Sequence, residues 1–122
     1  MEKYKILLVD DHPHFVKALK FMLLDYFEDK IESIDVATNG EECINVLREK
    51  YIDIIFMDID MPIMNGVDAT KEAINLCRNL VVIALSFHAE MKYIIKMIEA
   101  GARNYIIKEE INKEILEKYL CS

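Results

Sequence analysis

The chain has 122 residues, of which 53% are hydrophobic and 30% charged, the balance of one folded domain and not of a disordered segment. A net charge of −7 argues against a nucleic-acid or anionic-membrane surface, since both partners require basic patches. No apolar run approaches the roughly 20 residues of a spanning helix.

The first five residues, Met1-Glu2-Lys3-Tyr4-Lys5, lead directly into a strand pattern without the layout of a signal peptide. Residues 5–9 are mostly apolar and end on Asp10-Asp11. His12-Pro13 follows, and proline suits the first turn of a helix. That helix is expected over about residues 14–27, burying Phe15, Ala18, Leu19, Met22 and Leu23. A second strand over 33–37 and an Asn39-Gly40 turn precede a helix over about 41–49, with Cys43, Ile44, Val46 and Leu47 inward. The stretch from Ile52 to Gly66 begins as an Ile-rich run too short for a helix, which reads as a strand buried on both faces. It ends on Asp58 and passes into turn chemistry at Asp60, Pro62 and Asn65-Gly66.

A third helix over about 67–77 carries Asp68, Lys71 and Glu72 outward. Residues 80–85 are the most apolar run and read as a central strand ending on Ser86. Helix four is expected over about 89–100, with Ile94, Ile95 and Ile98 on one face and Gly101 as C-cap. A fifth strand over 104–107 stops at Lys108, and a last helix over about 110–120 repeats Ile111, Ile115, Leu116, Tyr119 and Leu120. Strands alternating with helices require a parallel sheet covered on both faces. Cys43, Cys77 and Cys121 are odd in number and widely spaced, outside any metal pattern, which suits a reducing cytoplasm. Met57, Met61 and Met64 read as gap-filling residues.

In a parallel sheet the C-terminal strand ends share one edge, where open α/β sheets bind ligands. Here they carry Asp10, Asp11, Asp58, Ser86 and Lys108. Any one of these has a plain reading as a solvated loop residue. Together they form a convergent set. Like charges at ~4 Å cost on the order of 4 kcal/mol at an effective dielectric near 20, so the acids call for a cation. Hard oxygen ligands select Mg²⁺ or Ca²⁺.

From Lys5 to about Leu120 the chain resembles the receiver domain of bacterial two-component response regulators. The resemblance is carried by Val9-Asp10-Asp11-His12-Pro13, Met57-Asp58-Ile59-Asp60-Met61-Pro62 with Asn65-Gly66, Leu85-Ser86, and Gly101-Ala102-Arg103-Asn104-Tyr105-Ile106-Ile107-Lys108. It implies one domain over 1–122, a flavodoxin-like doubly wound five-stranded parallel sheet of order 2-1-3-4-5, with five helices. It also implies Mg²⁺-dependent phosphorylation of Asp58 from a sensor histidine kinase or phosphotransfer protein in the cytoplasm. By matching position, Asp11 and Asp58 supply metal ligands, Asp60 a backbone carbonyl, and Asp10 acts mainly through water. Ser86 and Lys108 would contact the phosphoryl group, and Ser86 and Tyr105 would form the switch, Tyr105 swinging inward as Ser86 moves to the phosphoryl group. Tyr105 keeps an alternative reading as a half-buried strand aromatic. The chain would catalyse its own phosphoryl transfer and dephosphorylation only.

The face of helix four, strand five and helix five, with Lys92, Lys96 and Arg103 beside Glu90 and Glu99, is expected to meet an effector or a second copy on phosphorylation. The chain departs from the common pattern at Glu109, where proline is frequent; a trans bond is expected after Lys108. Ser86 replaces the more frequent threonine, and Phe87 stands where a small residue is usual and is expected to crowd the site. His12-Pro13, Ser86-Phe87-His88 and Glu109 lean towards the subfamily that usually carries a C-terminal helix-turn-helix, and the chain is either stand-alone or cut from such a regulator. Capping and solvation account for His12 and His14, whereas His88 is a candidate for tuning the phosphoryl lifetime. Two other classes fit parts of the pattern. One is a degenerate receiver serving as a phosphorylation-independent interaction module. The other is a haloacid dehalogenase-type phosphatase, whose Asp-x-Asp fits Asp58-Ile59-Asp60 but whose hydroxyl residue is missing at Met61-Pro62.

Overall fold

Five parallel strands form one sheet in the order β2-β1-β3-β4-β5. The structure is a computed structural model and describes residues 3–120, so Cys121 lies outside the described residues. In chain order the elements are β1 (Tyr4–Val9), α1 (Pro13–Phe27), β2 (Ile31–Ala37), α2 (Gly40–Glu49), β3 (Ile54–Asp58), α3 (Gly66–Leu76), β4 (Val81–Ser86), α4 (Met91–Ala100), β5 (Asn104–Ile107) and α5 (Lys113–Leu120).

Alternation along the strands divides the core in two. Ile6, Leu8, Phe56, Ile83 and Leu85 meet Leu19, Leu23 and Phe27 of α1 and Leu116 and Leu120 of α5. On the opposite face Leu7, Val9, Met57, Val82 and Ala84 pack with Cys43, Ile44 and Leu47 of α2, Ala69 and Ala73 of α3 and Met97 of α4. Every residue of β3 is buried, as a strand covered by helices on both sides must be. The expected doubly wound order is the observed one. Cys43 is fully buried in the core, and burial together with the nearby Cys77 pushes its thiol up to about 12. Met57 is core, and Met61 and Met64 pack partly buried against it. Among the described residues no helix is long and apolar enough to cross a membrane.

Both Asn-Gly pairs open helices. Asn39 accepts the Glu42 amide and Asn65 the Asp68 amide, each at 2.9 Å, so these are N-caps and not free turns. Gly101 adopts φ 122° at the end of α4, the left-handed geometry of a C-cap. The described peptide bonds are all trans, including the one after Lys108.

Three expectations fail. Ala18 is exposed, because the buried stripe of α1 runs Leu19, Leu23, Phe27 with Phe15 and Met22 half-buried beside it. Helix α4 starts at Met91 and buries Met97 and Ala100, leaving Ile95 and Ile98 exposed while Ile94 is half-buried. Its isoleucines offer a second apolar stripe of equal periodicity, and the α3 contact selects the other one. Residues 108–110 form a 3-10 turn, so α5 begins only at Lys113.

Candidate functional site

Strand register brings the site together. Val9 pairs with Met57, so Asp10 and Asp58 stand side by side at the sheet edge. Ser86 pairs with Ile107, which sets Lys108 next to it. Glycine is required at Gly66, where a Cβ would lie 2.0 Å from the Asp58 carbonyl oxygen. Its absence lets the start of α3 close onto the end of β3, and the Gly66 amide donates to the Ile59 carbonyl at 2.8 Å.

Asp10, Asp58, Ser86 and Lys108 are all buried, while Asp11 is exposed at the rim. The Lys108 ammonium lies 2.6 Å from Asp10 Oδ2, an ion pair outside hydrogen-bond angles, and 3.4 Å from Asp58 Oδ1. Phe15 and Phe87 flank that ammonium, with ring centroids 4.6 and 5.0 Å from Nζ. The acids and the ring faces thus stand where the water around this buried group would be. Asp58 Oδ2, by contrast, is buried with no hydrogen-bond partner. Burial, reinforced by the neighbouring Asp10 and opposed by Lys108 and His12, raises the Asp58 carboxyl from 3.8 to about 6.

His12 enters this cluster. Its ring is not a helix cap, and Nδ1 sits 2.7 Å from Asp10 Oδ1, 3.3 Å from Asp11 Oδ1 and 3.7 Å from Asp58 Oδ2. The expectation that capping and solvation account for it is overturned. The cause is local: Asp10 Oδ1 already accepts the His12 amide at 2.9 Å, which turns the imidazole back over the acids. Phe87 meets the His12 ring edge-on, with centroids 6.2 Å apart.

Ser86 is engaged on the far side of the mouth. Its hydroxyl oxygen accepts the His88 amide at 3.0 Å, and Tyr105 Oη donates to the His88 carbonyl at 2.9 Å. The His88 ring stacks on Tyr93 at 4.1 Å and meets Asp60 Oδ2 at 2.6 Å. The Asp60 carboxylate is therefore committed to His88 and stands apart from the four-residue group of Asp10, Asp11, His12 and Asp58, whose ligand atoms all lie within 4.8 Å of one another. Tyr105, expected to swing inward only on phosphorylation, is already tied in; its phenol is raised by burial.

A buried acid beside a second acid and a lysine, at the carboxyl edge of a doubly wound sheet, defines a phosphoacceptor-type signalling module. The model of the response regulator receiver domain matches residues 6–120, and the chain belongs to that family. It is 36% identical over 105 residues to the chemotaxis protein CheY of Thermotoga maritima, covering 85% of this chain and 84% of that one. It is 33% identical over 107 residues to the transcriptional regulatory protein DegU of Brevibacillus brevis, covering 88% of this chain and 44% of that protein. Among solved structures, a two-component response regulator from Clostridium difficile superposes with a TM-score of 0.85 at 28% identity over 96% of this chain and 92% of that one. The NarL receiver domain of Mycobacterium tuberculosis gives 0.88 at 21% identity over 99% and 96%, a likeness of fold. The chain thus spans about half the length of some curated relatives and most of another. Membership of this family removes the dehalogenase-type reading.

Proposed function

We propose that Asp58 accepts a phosphoryl group from the phosphohistidine of a sensor kinase or phosphotransfer protein. One observation carries this reading: a buried carboxylate with one oxygen facing Lys108 and the other without a partner. Asp58 Oδ1 attacks phosphorus in line, the nitrogen–phosphorus bond breaks, and the donor imidazole leaves. Lys108 then has a phosphoryl oxygen to pair with in place of the bare carboxylate, and the Ser86 hydroxyl has a stronger acceptor within its loop. Phe15 and Phe87 hold the ammonium at that position.

The orphaned Asp58 Oδ2 and the facing Asp10 and Asp11 oxygens fit a divalent cation, with Mg²⁺ the expected one and the Asp60 backbone carbonyl a further ligand. Bound there, it would neutralise the acids and the charge developing on the phosphoryl oxygens. Output is proposed to pass through α4, β5 and α5 to an effector or a second copy, in the cytoplasm, with no turnover of an external substrate.

Incubation with Mg²⁺ and a phosphoramidate or acyl-phosphate donor should add one phosphoryl group by intact mass, and Asp58→Asn should abolish it with the fold retained. Equal labelling of the variant would move the phosphoacceptor elsewhere. An unlabelled parent would favour the degenerate, phosphorylation-independent module.

A further inference from the structure

The carboxylates at the sheet edge divide their oxygens between two neighbours. Asp10 Oδ2 and Asp58 Oδ1 face Lys108, whereas Asp10 Oδ1, Asp11 Oδ1 and Asp58 Oδ2 all face one atom, His12 Nδ1. The 2.7 Å contact to Asp10 is the shortest of these, and the Lys108 ammonium stands 3.4 Å from the same nitrogen. Asp11 Oδ1 and the partnerless Asp58 Oδ2 face that nitrogen at 3.3 and 3.7 Å.

The ligand atoms of Asp10, Asp11, His12 and Asp58 all lie within 4.8 Å of one another, near enough to close on one ion by small side-chain shifts. Metal–ligand bonds of about 2.0–2.2 Å set neighbouring ligands about 2.8–3.6 Å apart in octahedral or tetrahedral geometry, so the 3.3 Å Asp11 separation already fits, while Asp10 would open and Asp58 close slightly. The His12 ring is half-exposed, so an ion has a route in, and its backbone amide bond to Asp10 fixes where the ring begins. We propose that His12 is a nitrogen ligand of this cation site, and that it raises the affinity of the site for Co²⁺ and Zn²⁺ while leaving Mg²⁺ bound by the carboxylates alone. All-oxygen sets suit Mg²⁺, while an imidazole nitrogen shifts preference towards the later first-row ions. The inference rests on the receiver reading only in that the acids hold a divalent cation.

The test uses the 122-residue chain. Binding of Mg²⁺, Co²⁺ and Zn²⁺ is measured by calorimetry for the parent and His12→Ala, and the imidazole nitrogens of the parent are followed by long-range ¹H–¹⁵N NMR. His12→Ala should weaken Co²⁺ and Zn²⁺ binding at least about tenfold, with Mg²⁺ affinity changed less than about threefold. The His12 Nδ1 resonance should shift on Zn²⁺ addition, a readout that stands even if the variant folds poorly. If Mg²⁺ binds but His12→Ala leaves Zn²⁺ and Co²⁺ unchanged, or tightens all three alike, the ring is a plug that the ion displaces. That overturns this inference and leaves the phosphoacceptor reading intact. A parent that binds none of the three overturns the ligand assignment together with the metal site, while the Asp58 labelling test stands separately.

Discussion

Asp58 shows at single-residue scale how burying an acid costs stability. Its carboxyl titrates near 6 in the folded chain against 3.8 without the fold, burial being the largest cause. A raised native value means that the protonated acid is the form the fold favours. Its contribution to stability is therefore full below about pH 4 and is lost as pH rises through about 6. Asp58→Asn cannot ionise, so without metal it should exceed the parent in stability at pH 7, by on the order of 2 kcal/mol. The margin should close by pH 4, and melting curves of both proteins from pH 4 to 8 check this. A pH-independent margin would place the carboxyl in its ordinary range. Asp11 makes the complementary case, being exposed at the rim of the same cluster. An ion bound only by the native state stabilises by RT ln(1 + [L]/Kd). Asp11→Ala should remove most of the Mg²⁺-dependent rise in Tm, and in metal-free buffer should be neutral or stabilising through relief of repulsion. Thermal melts with and without Mg²⁺ measure both effects.

Among the elements, α4 separates packing from contact with other molecules. Met97 is fully buried, whereas Ile95 and Ile98 are 48% and 45% exposed on the same helix. Met97→Ala should cost about 2–5 kcal/mol, while Ile95→Ser and Ile98→Ser should stay within about 0.5 kcal/mol each. If phosphorylation recruits an effector or a second copy to this face, the two serine variants should weaken that association with labelling at Asp58 intact. Chemical denaturation and sedimentation of the labelled protein read the two effects separately. The same helix shows where sequence reading stops. Strands such as β3 and β4 are legible because a run of five or six apolar residues buried on both faces admits few other readings. Helix α4 holds apolar residues at 94, 95, 97 and 98, so two stripes have equal claim, and only the helix packed against it decides. At the site, Asp10, Asp58, Ser86 and Lys108 are legible because parallel strands deliver their ends to one edge. The place of His12 is not, since its ring direction depends on an amide–carboxylate bond two residues back. Phe15 and Phe87 likewise appear as lysine partners only once α1 and the loop after β4 are folded together.

Across the whole molecule, the path from Asp58 to the α4 surface runs through one short loop. Ser86 accepts the His88 amide, Tyr105 donates to the His88 carbonyl, and the His88 ring is stacked on Tyr93 of α4 while paired with Asp60. His88 is thus held at its amide, its carbonyl and its ring by different elements. Phosphorylation adds about −1.5 to −2 charges and three acceptor oxygens. The Ser86 hydroxyl should turn to one of them, which takes from the His88 amide its acceptor. A charge-assisted hydrogen bond of about 2–3 kcal/mol outweighs the neutral one it replaces, enough to shift a two-state loop by roughly ten- to hundredfold. Because Tyr105 is tied to His88 beforehand, the change is not an inward swing of an outlying ring. The loop and the start of α4 should move with His88, and the tyrosine should follow its carbonyl. Hydrogen exchange over residues 86–105 should therefore differ between the labelled and unlabelled chain, most at the His88 amide. Ser86→Ala should still accept the phosphoryl group but lose this difference. Identical exchange in the labelled and unlabelled parent would exclude this route from Asp58 to α4.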